Sequence, residues 1–261
     1  GPKYLLSLSR RQHCVRSIRC QKFLDLTFLL SVFSRTLAIK KSFLRMRNTE
    51  FSASPILPFV NPATGPISVR GAKPGDMLTI NVIDVGVHGL GFTALWPGIG
   101  IFPDWVRREE FGVQNRNVLV ENGVVHWSDT LKLEAKPMIG VIGLAPVAGS
   151  VLTIDNGTHG GNMDVQEVTN GNKLMMPVFQ EGAYLHVGDV HALQGDAECN
   201  GVGAIEIRGH LRLQVSLSPA PSRLTWPRIE TPTHICTVGC ARPLDDALRI
   251  AFEEMVYWLE E

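Results

Sequence analysis

Hydrophobic and polar positions alternate along Met77–Val85 (MLTINVIDV), as in a strand with one face buried and one face wet. From Asn117 to Trp127 the alternation runs through Asn122-Gly123, a pair suited to the left-handed backbone of a tight hairpin turn. Val151–Ile154, Leu174–Phe179, Ala183–Val187 and Ala204–Leu217 continue the series of short apolar runs, parted by Gly, Pro, Asn and Asp. Only Pro243–Leu259 has a helical period, which places Leu244, Leu248, Ala251, Phe252, Met255, Val256 and Leu259 on one face. The pattern predicts a mainly β protein with a β-sandwich or jelly-roll-like core and a C-terminal helix.

Composition changes the picture at one end. The 261 residues carry no net charge and are 44% hydrophobic, which suits a packed core and gives no reason to expect a nucleic-acid partner. Residues 1–47 hold eleven Lys or Arg against one acid, Asp25, so the remaining 214 residues are acidic. The division expected is an atypical basic N-terminal segment, 1–50, and one domain, 51–261. Gly1-Pro2 reads as the scar of a cleaved tag. Residues 3–50 read as a transit-type peptide or a basic amphipathic helix, and equally as a stretch foreign to the fold; a weaker reading makes 3–47 a basic amphipathic anchor, and disorder or irregular helix is expected over 3–47. No run of 18 apolar residues exists, so no membrane span is expected. Five cysteines without dense spacing fit a reducing, cytoplasmic setting, and Cys236 and Cys240 read as thiols rather than metal ligands.

Candidate chemistry concentrates in Thr158–Asp164 (THGGNMD) and Gly188–Glu198 (GDVHALQGDAE). In extended backbone residues two apart share a face, which pairs Asp189 with His191 and Asp196 with Glu198. A Gly-Gly bend could lift His159 and Asp164 onto the same cavity. Such a set offers nitrogen and carboxylate ligands for zinc or another divalent ion and leaves a carboxylate for proton transfer. The bland alternative is a set of turn residues around a satisfied histidine. His88, His186 and His210 read as structural. Trp96 and Phe102 read as core or interface aromatics before pocket walls. No Gly-x-Ser-x-Gly elbow is present, and Gly98-x-Gly100 lacks the context of a dinucleotide fingerprint.

Five motifs occur in an ordered series: Asn61–Val69, Gly71–Asp76, Pro137–Pro146, His159–Asp164 and Gly188–Glu198. In that order they resemble the acetamidase/formamidase family over about residues 55–260. The resemblance implies a β-sandwich core with an α+β part, and hydrolysis of small linear amides to ammonia and a carboxylate. It also implies a homodimer or higher homo-oligomer. Residues 3–50 depart from the family's opening strands, and members usually continue beyond the final helix, so the expectation is a partial domain with an altered N-terminus and a shortened C-terminus. On that reading His159, Asp189, His191 and Glu198 hold the metal, zinc or alternatively calcium. Asp164 and Asp196 orient ligands or move protons, Asn162 and Gln194 hold the amide, and Glu198 is also the candidate base. The rival is an inactive relic that binds a metal or ligand without turnover.

Overall fold

The computed structural model describes residues 61–95, 100–101, 104, 108 and 114–261 in full, and the strand backbones of 16–19 and 26–30. Trp96, Phe102, Cys14, Cys20 and the rest of the basic head lie outside the described residues. Within the described residues the chain is mainly β: sixteen strands and one long helix. The first six-stranded sheet has the order β1 (Arg16–Arg19), β3 (Ala63–Arg70), β13 (Leu185–His191), β9 (Met138–Gly143), β11 (Gly160–Asn162), β10 (Asn156–Gly157). The second runs β16 (Ile235–Thr237), β15 (Arg228–Glu230), β12 (Lys173–Pro177), β4 (Asp76–Val87), β14 (Gly209–Pro219), β2 (Leu26–Leu30). A four-stranded sheet joins β5 (Gly89–Leu95), β6 (Gln114–Glu121), β7 (Val124–His126) and β8 (Lys132–Glu134).

Alternation buries one face of β4, where Leu78, Ile80 and Val82 join Leu174 and Met176 of β12 and Leu211, Leu213 and Val215 of β14. These side chains share one core with Ile139 and Ile142 of β9 and with Leu185 and Val187 of β13, so the two larger sheets bury each other's apolar surface. All six residues of β9 are buried, as expected of a strand covered on both faces. The β6–β7 turn forms at Asn122 (φ 51) and Gly123 (φ 75), the left-handed pair that the sequence requires of a two-residue hairpin.

Several expectations are corrected. Two pieces of the head are strands rather than disorder or irregular helix: Arg16–Arg19 pairs in parallel with β3, and Leu26–Leu30 pairs antiparallel with β14. Val151–Ile154 forms a turn closed by Leu152 and Asp155 instead of a strand. The strand expected to begin at Ala204 begins at Gly209.

The helix α1 (Leu244–Glu260) matches its expected span, but its apolar stripe is turned outward: Leu244, Phe252 and Leu259 are each more than 60% exposed. Its buried residue is Glu254, ion-paired at 2.6 Å to the equally buried Arg228 of β15. Glu261 meets the same guanidinium at 2.6 Å, so charge rather than oil fastens this helix to the sheet. No described helix is long and apolar enough to cross a membrane.

Candidate active site

Strand β13 carries Asp189 and His191, both buried, and their ligand atoms meet although Asp189 (φ 54) departs from extended backbone. Opposite them on β9 stands Gly140. A Cβ there would lie 2.7 Å from Asp164 Oδ1 and 2.9 Å from Asp189 Oδ2, so only glycine lets these carboxylates approach the strand. Asp164, Asp189 and His191 each present a ligand atom within 4.8 Å of the others. Gly203 lines the far side, where a Cβ would fall 2.7 Å from both His191 Nε2 and Glu206 Oε1.

Glutamine sets the histidine's direction. Gln194 Nε2 donates to the Asp164 carbonyl at 2.6 Å, which turns its Oε1 toward His191 Nδ1 at 2.8 Å. His191 Nε2 therefore faces the carboxylates, with Glu206 Oε1 at 3.5 Å and Asp189 Oδ2 at 3.6 Å, and makes no hydrogen bond at these distances. Asp164 Oδ1 is likewise buried without a hydrogen-bond partner. Its other oxygen accepts from Asn162 Nδ2 at 2.9 Å, and Asn162 Oδ1 accepts from Asn61 at 2.8 Å.

Electrostatics follow from crowding. Burial raises the Asp164 pKa to about 6, with further upward pressure from Asp189. Burial and Glu206 raise Asp189 to about 6 as well. Glu198 goes highest, to about 8, through burial and the Asp164 charge, so it keeps its proton at neutral pH. Burial opposes the charged form of His191, but Glu206 and Asp189 together outweigh it and hold the imidazole well above its usual value. Backbone strain gathers here too. Eight non-glycine residues among those described have positive φ, and five of them, Asn61, Asp164, Asp189, Ala197 and Glu198, carry or flank the site.

Sequence-chosen residues divide by place. Asp164, Asp189 and His191 come together, with Glu198 beside Asp164 and with Asn162 and Gln194 bracing them. Both ends of Gln194 are bound to protein, Oε1 to His191 Nδ1 and Nε2 to the Asp164 carbonyl. Asp196 and Glu198 do not lie on a strand, because Ala197 (φ 64) interrupts a short 3-10 turn there. Asp196 consequently points to the surface, where its carboxylate accepts from Gln166 at 2.6 Å.

His159 does not join the triad. Its carbonyl and His186 Nε2 crowd Gly143, three residues from Gly140 along β9 and hence on the strand's opposite face. At the Gly-Gly bend that was expected to bring it in, Gly160 (φ +80) and Gly161 (φ +98), the His159 ring lies against Gly157 and Gly161, and its titratable neighbours are Asp155 and His186. Burial lowers the pKa of His159 and of His186 alike. Glu206 was missed by sequence reasoning, although an acid set between Ile205 and Ile207 in an apolar run was a usable signal. Its backbone bridges Phe92 and His191, which fixes its carboxylate beside the imidazole.

The donor set fits a divalent cation on its own chemistry. A half-buried carboxylate, a buried carboxylate and a buried imidazole meet, and two of their ligand atoms are buried without hydrogen-bond partners.

Comparison with known proteins points the same way. The acetamidase/formamidase family model matches residues 149–225, the segment that carries Asp164, Asp189 and His191. An acetamidase of Mycolicibacterium smegmatis is 27% identical over 214 residues, 59% of this chain and 52% of that one. The chain spans about half the length of the curated relatives it matches. A solved structure from Thermoanaerobacter tengcongensis, described as a predicted acetamidase/formamidase, superposes with a TM-score of 0.78 at 32% identity over 94% of this chain and 76% of that one. An acetamidase from Bacillus halodurans gives 0.76 at 31% identity over 94% and 78%. This chain belongs to the acetamidase/formamidase family.

Proposed function

We propose that the chain is a hydrolase of carbon–nitrogen bonds in small linear amides of the formamide or acetamide kind, releasing ammonia and a carboxylate. The observation that carries this reading is the Asp164, Asp189 and His191 triad, with two buried and unpartnered ligand atoms, inside the segment shared with the family. Asp164, Asp189 and His191 would hold a divalent cation, and a nitrogen and carboxylate set favours zinc over calcium. When bound, the cation supplies positive charge that polarises a carbonyl and makes water easier to deprotonate.

The chain's own residues supply the proton traffic. Asp164 and Glu198 lie side by side, and with pKa values of about 6 and about 8 the pair carries one proton at neutral pH. Glu198 gives its proton to the leaving nitrogen as the carbon–nitrogen bond breaks, and its carboxylate takes back the proton that the attacking water leaves on the former amide carbon's new hydroxyl, while Asp164 stays with the cation. Glu206 and Asp189 keep His191 in place through charge, and Gln194 keeps its ring turned. A homo-oligomer in the cytoplasm is the setting proposed.

Ammonia release from formamide and acetamide tests the reading. Turnover that stops on treatment with a chelator and returns with zinc is expected. A protein that binds metal yet releases no ammonia from either amide would be the non-catalytic module instead.

A further inference from the structure

The turn that carries Glu198 is fastened to a distant part of the fold by one side chain. Asn200 Nδ2 donates to Thr93 Oγ1 and to the Ala94 carbonyl, each at 3.1 Å, and also reaches the Val202 carbonyl at 3.4 Å. Thr93 and Ala94 are buried near the end of β5, so the anchor is rigid. A second tie runs beside it: Ile101 N donates to the Cys199 carbonyl at 3.1 Å, over Gly100, where any side chain would strike that same carbonyl.

The turn needs such ties. Ala197 (φ 64) and Glu198 (φ 40) both sit in the left-handed region, which residues with a Cβ leave unless their surroundings hold them. Within the turn Gly201 N to the Glu198 carbonyl, 2.7 Å, Glu198 N to the Gly195 carbonyl, 3.3 Å, and the long Cys199 Sγ contact to the Asp196 carbonyl, 3.9 Å, oppose that relaxation, and the Gly203 backbone bonds the Glu198 carboxyl. On the upstream side Asp196 is held by Gln166 at the exposed surface. On the downstream side Asn200 supplies the side-chain tie, beside the backbone bond from Ile101 to Cys199.

We propose that Asn200 is a positioning residue, which holds the Glu198 carboxyl against Asp164 by latching the turn to β5. The inference deepens the amidase reading and rests on the role given there to Glu198. Asn200 acts through the backbone of Cys199 and Glu198 and takes no part in proton transfer itself.

Asn200→Ala tests it on the full chain with formamide. Turnover should fall about 10- to 100-fold with KM within about threefold, as expected when a reacting group is misplaced while substrate binding persists. The double variant with Glu198→Gln should be no slower than Glu198→Gln alone, because both changes act on one group. Amide hydrogen exchange across residues 196–203 should quicken in Asn200→Ala, a readout that needs no turnover. If that variant fails to fold, Thr93→Val removes one acceptor in place and should give a smaller change of the same kind. Unaltered exchange and full turnover in Asn200→Ala would overturn the latch. Effects that multiply in the double variant would place Asn200 in some other role. Full turnover by Glu198→Gln would instead defeat the role of Glu198, and with it the function assigned to the latch.

Discussion

Strand β9 separates two groups of polar residues that contain the same kind of ring and end in opposite states. On the Gly140 face, His191 is almost wholly buried, yet Glu206 and Asp189 hold its pKa well above the ordinary value. On the Gly143 face, His159 and His186 have lowered pKa values because burial dominates, opposed only by Asp155 for the first and by the Tyr184 backbone for the second. Burial alone therefore gives a neutral histidine. Burial among carboxylates gives a charge cluster that a cation would satisfy.

The largest effect expected on this contrast is chemical. Glu198→Gln keeps shape and removes the ionisable proton, so ammonia release should fall by about two to four orders of magnitude while folding is retained. Metal content should stay unchanged, since Glu198 stands beside the triad rather than in it; loss of metal would move it among the ligands.

A pair of glycine substitutions separates the two faces next. Gly140→Ala drives a methyl against Asp164 Oδ1, Asp189 Oδ2 and the Asp189 carbonyl, and should weaken metal affinity by on the order of 100-fold or more, above the loss typical of a supporting residue. Gly143→Ala meets Gly161 N and His186 Nε2 instead, and should cost about 1–3 kcal/mol of stability with metal retained. Equal metal loss from both would erase the distinction. Gln194→Leu should loosen His191 and lower metal affinity about 10- to 100-fold, read by competition with a chromogenic chelator.

The smallest effect is a pair of opposed pH slopes in thermal unfolding. His159 and His186 bind fewer protons folded than unfolded, so their share of stability is present above pH 6.5 and lost as pH falls below it, by at most about 1.4 kcal/mol per pH unit for each. Asp164, Asp189 and Glu198 have raised folded values, and so does His191. Their share is present at low pH and lost as pH rises through about 6 to 8. Added zinc should restore the upper side of the profile and leave the lower side alone. His159→Gln should flatten only the lower side.

How much of this was legible depended on whether a local rule governed the position. The Asn122-Gly123 hairpin follows from turn chemistry and was readable; the meeting of Asp189 with His191 was expected from their spacing, although the left-handed Asp189 (φ 54) was not. Strand spacing misled at Asp196 and Glu198, because the positive φ at Ala197 breaks the extended backbone that the two-residue rule assumes, and nothing in Ala itself announces it. His159 was assigned to the triad because its Gly-Gly neighbours permit almost any direction; pairing of β11 with β9 chose the opposite face. The outward apolar stripe of α1 was equally hidden, since the buried Arg228 and Glu254 pair decides the helix's rotation from 26 residues away in the chain.

Metal content of the wild-type chain, His191→Ala and His159→Ala, measured side by side by elemental analysis after gel filtration, tests the central claim most directly. About one zinc per chain is expected in the wild type and in His159→Ala, with none in His191→Ala. Metal kept by His191→Ala and lost from His159→Ala would contradict it and move the site to the other face of β9.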